Sequence, residues 1–126
     1  MANVRLDQNG IPKAAVFETA TPVQHRDSVT AVDASDPEDA GGGVDTAGYQ
    51  SCRFDMIVTG TGFQSLTIQV LFWNPRQEKW FGGASRQLTG AGQHAIEVDT
   101  RGATAFLKVT AFSGTSFSLD ADYALS

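Results

Sequence analysis

From residue 51 onward, apolar and polar side chains alternate with period two, the signature of strands buried on one face. Cys52, Phe54, Met56 and Val58 fall on one side, with Arg53, Asp55 and Thr59 on the other. Gly60-Thr61-Gly62 reads as a turn. After it, Leu66, Ile68, Val70 and Phe72 are expected to point inward, and Thr67, Gln69, Leu71 and Trp73 outward. Asn74-Pro75-Arg76-Gln77 turns the chain again, with proline in its interior. Lys79 to Phe81 is expected to return as a short strand that Gly82-Gly83 stops, and Leu88 to begin another that Gly90-Ala91-Gly92 ends. Ile96 and Val98 alternate with Glu97 and Asp99. Past Arg101-Gly102, Ala105, Leu107, Val109 and Ala111 alternate with Phe106, Lys108, Thr110 and Phe112. Past Ser113-Gly114-Thr115, Phe117, Leu119, Ala121, Tyr123 and Leu125 alternate with Ser118, Asp120 and Asp122. Six or seven strands at spacings of about 8–12 residues predict an all-β fold. The expected architecture is an antiparallel β-sandwich, jelly-roll-like or Ig-like, and the local pattern does not choose between the two.

The first 48 residues follow a different rule. Large apolar side chains are scarce there, and Pro12, Pro22 and Pro37 interrupt any helix. Ala14 to Phe17 and Ser28 to Val32 are short β-prone runs, and residues 34–48, ASDPEDAGGGVDTAG, have the composition of a flexible linker. Alone, this stretch buries too little surface to offset its ordering entropy. The expected organisation is an acidic, extended N-terminal arm and linker over 1–48, lying on its own domain or on another chain, and a sandwich domain over 49–126.

Charge sharpens the division. Residues 1–50 hold eight acids and three bases, so they account for the whole net charge of −5, whereas residues 51–126 hold six of each sign. An acidic chain lacks the basic surface that phosphate contacts need, so nucleic acid is not an expected partner. No stretch approaches the roughly 18 apolar residues of a membrane span, and the start MANVRLDQNG has no apolar signal core, which points to synthesis in a cytoplasm. The single cysteine, Cys52, cannot form an intrachain disulfide and falls on the inward face, where it is expected to act as a small buried hydrophobe.

Enzyme chemistry has no visible constellation. The only histidines are His25 and His94, and no HExxH, GxSxG, P-loop or CxxC spacing occurs, so neither catalysis nor a cofactor is expected. Asp33, Asp36, Glu38, Asp39 and Asp45 are oxygen ligands of the kind calcium takes, but they lack the EF-hand order and fit a solvated acidic loop better. The densest feature is the hairpin from Leu71 to Phe81, which carries Phe72, Trp73, Trp80 and Phe81. Alternation forbids all four from sharing a face, so one aromatic pair is expected outside the core. Three readings stand: cover by the arm, a subunit interface anchored by Trp and Arg, and a platform for stacking sugar rings. Phe106 and Phe112, opposite Leu107 and Val109, make a further strand apolar on both faces.

Taken together, Arg53 to Ser126, through FDMIVTGTGFQSLTIQVLFWNPRQEKWFGG and RGATAFLKVTAFSGTSFSLDADYALS, resembles the small β-sandwich proteins carried on virions of tailed bacteriophages, nearest to capsid decoration or cement proteins. The likeness spans about three-fifths of the chain and is one of style, with Thr/Gly/Ser-rich hairpins and an N-terminal arm. It implies a non-enzymatic structural protein on the capsid exterior that bridges capsid subunits. Its partners would be the major capsid protein and further copies of itself, with a trimer favoured. The interface residues expected on this reading are Val16 and Phe17 in the arm, with Trp73, Arg76 and Trp80 in the hairpin. A carbohydrate-binding module on a phage head or tail fibre, with a surface glycan as partner, and a head–tail connector or tail component are the alternatives. Truncation of the arm is expected to abolish attachment and leave the sandwich folded.

Overall fold

The computed structural model describes residues 21–126. Seven strands run antiparallel: β1 (Val23–Val29), β2 (Ser51–Thr59), β3 (Phe63–Asn74), β4 (Lys79–Leu88), β5 (Gly92–Asp99), β6 (Ala105–Gly114) and β7 (Ser118–Leu125). They form two sheets, β1-β7-β2-β5 and β4-β3-β6, so the chain is the antiparallel β-sandwich expected from its alternation. The predicted inward residues meet between the sheets. Cys52, Phe54, Met56, Val58, Leu66, Ile68, Val70, Leu107, Val109, Leu119 and Ala121 are each no more than 1% exposed. Burying one Val, Leu, Ile, Phe or Met side chain contributes about 1.5–3 kcal/mol, so this layer is the main source of stability.

The pairing is nested. β3 pairs with β4, β2 with β5, and β1 with β7. Rolling such a nested hairpin brings β7 beside β2 and β6 beside β3. That is a jelly roll, which in its full form has eight strands, and among the described residues one position, beside β6 on the side away from β3, has no strand. Residues 33–44 fill it with irregular backbone. Asp33 and Val44 hydrogen-bond to Val109 and Ala105 of β6, and Val44 forms an isolated antiparallel bridge with Ala105.

Three expectations change. The boundary at residue 48 does not separate arm from sandwich, because β1 is a strand of the larger sheet and Val44, 3% exposed, belongs to the core. Strand patterning was faint there because β1 is an edge strand with two register shifts and Ser28 at φ 51°, so few of its side chains alternate between core and water. Gly82-Gly83 does not stop β4, which continues to Leu88. A Cβ on Gly83 would stand 2.4 Å from the Phe72 ring, so the glycine leaves room for that ring within a continuous strand. Leu88 correspondingly ends β4 and begins no strand. The run Ala14–Phe17, with Val16 and Phe17, lies outside the described residues.

Gly60 fixes the turn between β2 and β3 by close approach: a Cβ there would lie 2.2 Å from the Ser116 carbonyl oxygen. Gly60→Ala is expected to destabilise the fold by about 1–3 kcal/mol, whereas Gly90→Ala, which meets nothing within 4 Å, is expected to be near neutral. Chemical denaturation of the two variants beside the parent checks this.

Candidate functional site

An edge strand exposes every second backbone N–H and C=O. In the first half of β6 these belong to Ala105, Leu107 and Val109, and each of their groups finds a partner. Ala105 exchanges both hydrogen bonds with Val44. The Leu107 N–H donates to His25 Nε2 at 3.1 Å, and its carbonyl accepts from Arg26 Nη1 at 2.8 Å. The Val109 N–H donates to Asp33 Oδ2 at 2.8 Å, and its carbonyl accepts from the Asp33 N–H at 2.9 Å. Three side chains and two short backbone contacts thus replace the missing strand.

The first bulge of β1 makes this possible. Between Gln24 and Arg26 the register with β7 slips, so His25 and Arg26, which a regular strand would send to opposite faces, both reach β6. The His25 ring packs 5.4 Å from Phe54, 5.2 Å from Phe106 and 6.3 Å from Tyr123. Burial, aided by the adjacent Arg26 charge, lowers its pKa to about 4, consistent with an unprotonated Nε2 accepting from Leu107. Arg26 lies 4.8 Å over the Phe106 ring and binds both oxygens of Asp33 at 2.9 Å. Burial opposes the ionisation of Asp33, but hydrogen bonds from Arg26 and Val109, with the Arg26 and Lys108 charges, outweigh it and hold the carboxyl below its usual range.

From Asp33 the chain arches over the outer face of the smaller sheet. Asp36 pairs with Lys108 at 2.7 Å, and the Pro37 carbonyl accepts from Trp80 Nε1 at 2.9 Å. Asp39 caps a short 3-10 turn, Ala40–Gly42, through the Gly41 N–H, and Gly43 abuts the Trp80 ring. Beneath this strap lie Leu71 and Phe106, 4% and 8% exposed, which face away from the main core yet are buried. The expected acidic loop is therefore bound down: Asp33 and Asp36 hold cations, while Asp39 and Asp45 accept from nearby backbone N–H groups. Among the described residues no three His, Cys, Asp or Glu side chains converge to hold a metal ion.

Of the expected interface residues, Trp73 and Trp80 are brought together. They stand opposite one another across β3 and β4, rings 5.3 Å apart and edge to face, both half-buried. Arg76 is exposed in the turn between β3 and β4. The aromatic side chain left 46% exposed in this hairpin is Phe81, which shares the core-side face with Phe72 but sits at the sheet edge. Among the three readings of the hairpin, partial cover by the N-terminal part of the chain matches this geometry. Cys52 is buried as expected, and burial pushes its thiol up to about 12.

The larger sheet carries a second feature. Its outer face holds a shallow depression of about 400 Å³ lined by Asp55, Ile57, Gln93, Ala95, Asp120 and Asp122. Asp55 stands directly opposite Asp122, Ile57 opposite Asp120, and Ile57 is 53% exposed. Arg53 offsets part of the charge through two bonds to Asp55, at 2.9 and 3.1 Å. Alternation placed these acids outward, but only the pairing of β2 with β7 makes them neighbours.

Comparison with protein-family models, curated proteins and solved structures finds no match to this chain.

Asp33→Ala strips partners from Arg26 and from the Val109 N–H. It is expected to cost about 2 kcal/mol, and Asp33→Asn less, since its amide oxygen still accepts; equilibrium unfolding at pH 7 measures both.

Proposed function

We propose that this chain is a non-enzymatic structural protein of a bacteriophage virion, one that decorates the capsid exterior and stabilises it by bridging capsid subunits. The observation that carries the reading is a jelly-roll sandwich, an architecture used by viral capsid and lectin domains, preceded by a segment that holds Val16 and Phe17. The partners on this reading are the major capsid protein and further copies of the chain, a trimer being favoured.

Backbone chemistry supports it. β5 pairs with β2 in unbroken register from Gly92 to Asp99, and among the described residues no strand covers its other side. An extended segment from a neighbour can add a strand to such an edge, with main-chain hydrogen bonds supplying affinity and side-chain pockets supplying specificity. Many copies on one shell then multiply a weak contact through avidity. On this reading Arg76, which is exposed at a turn, meets a carboxylate of a partner. A glycan-stacking platform is less well supported, because each tryptophan turns towards the other and Trp80 is partly covered by the strap.

Particles encoded by the same genome, purified and analysed by quantitative mass spectrometry, are expected to contain the chain in a fixed ratio to the major capsid protein. Its absence from all particle fractions would overturn the proposal. Deleting residues 1–20 is expected to weaken attachment by on the order of 100-fold, the scale of avidity lost, while thermal melts stay cooperative. Deleting residues 1–48 is expected to destabilise the sandwich itself, because it removes β1, Asp33 and Val44.

A further inference from the structure

The strap over the smaller sheet is fastened by groups that respond to protons. His25 Nε2 accepts from the Leu107 N–H and can do so only while that nitrogen is unprotonated. Asp33 holds Arg26 and the Val109 N–H, and Asp36 holds Lys108. The other contacts, the Val44–Ala105 bridge, the Asp33 N–H to the Val109 carbonyl and the Pro37–Trp80 hydrogen bond, carry no charge. In the main core, by contrast, the layer from Cys52 to Ala121 is apolar, and β2–β7 and β3–β6 are joined by backbone ladders.

We propose that residues 33–43 form an acid-released strap: protonation of His25, and then of Asp33, frees this segment from the edge of β6 and uncovers Trp80 and Phe106 while β1, Val44 and the rest of the sandwich stay in place. The groups around His25 make proton uptake disruptive. Phe54 of β2, Phe106 and Leu107 of β6 and the phenol ring of Tyr123 on β7 offer an imidazolium no anion, and Arg26 on its own strand repels it. Asp33 is engaged by the Arg26 guanidinium and compensates that charge first.

The direction follows from linkage. His25 has an ordinary pKa of 6.5 and one of about 4 in the closed strap. Between these values an opened His25 takes up a proton that the closed one refuses, so opening becomes easier as pH falls from 6.5 towards 4. The gain is on the order of 100-fold in the open-to-closed ratio across that window. Asp33, held below the usual carboxylate range while closed, adds to release in the same direction at lower pH. The strap is therefore fully favoured at neutral pH and progressively lost in acid, whatever the protein binds.

The chain's two tryptophans, Trp73 and Trp80, both lie in the hairpin the strap covers, so their emission reports its state. The full-length protein would be titrated from pH 7.5 to 3.5 with three readouts: tryptophan emission, far-UV circular dichroism and residue-resolved amide exchange corrected for intrinsic rates. Emission is expected to shift to the red, and Leu107 and Val109 to lose on the order of 100-fold in protection, while Ile68 in β3 and the β-sheet dichroism hold. His25→Gln keeps a side-chain oxygen that can accept from Leu107 but does not titrate, and is expected to move the transition to lower pH. Protection at Leu107 and Val109 that is unchanged at pH 4, or lost in one step with Ile68, would overturn the strap, as would a His25→Gln protein that titrates like the parent. Should that variant not fold, the exchange pattern of the parent decides alone.

Discussion

The unfilled side of β6 is the constraint on which the rest of this structure depends. A buried backbone N–H or C=O left without a partner costs as much as a lost hydrogen bond, and an edge strand presents a row of them. A full jelly roll meets that demand with another strand. Here it is met by His25 and Arg26, on the bulged strand β1, and by Asp33 and Val44, at either end of a polar segment that makes no regular strand. The bulges of β1, the salt bridge of Asp33 and the path of the strap are arranged around that demand.

The aromatic layer on the outer face follows from it. Once the chain between β1 and β2 is tied to β6 at Val109 and again at Ala105, the residues between those ties cross the outside of the smaller sheet. Leu71, Phe106 and Trp80 then have a cover, and a sheet apolar on both faces is accounted for within one chain. Aromatic pairs of this kind add about 0.5–1.5 kcal/mol each beyond the area they bury. The strap is thus coupled to the hairpin by apolar contact and to β6 by charged and backbone hydrogen bonds, two kinds of attachment with different responses to pH.

The two sheets consequently present different outer surfaces. The smaller is covered in part by its own strap, whereas among the described residues the larger is uncovered, acidic and centred on Ile57 between Asp55, Asp120 and Asp122. The edge of β5 also lies on the open side, in regular register. Among the described residues, the uncovered sheet edge and the concentrated charge both lie on the surface that the strap does not occupy.

By itself the sequence determined the sandwich, because period-two alternation in β2, β3, β6 and β7 is a direct imprint of one-sided burial, and Cys52, Phe54, Ile68 and Leu119 are where that imprint places them. It also determined that Trp73 points away from Phe72. The tertiary structure alone decided which strands became neighbours, since nested pairing is a long-range choice that leaves no local trace. Hence the juxtaposition of Asp55 with Asp122, which lie on strands distant in the chain, could not be read from either segment. The role of residues 23–48 was hidden for a related reason. Their contribution runs through side chains that satisfy a distant backbone and through a single buried valine, and such contacts follow no periodicity. His25, a lone histidine in a polar stretch, acquires its character only from the Phe54, Phe106 and Tyr123 rings and the Leu107 N–H that folding brings to it.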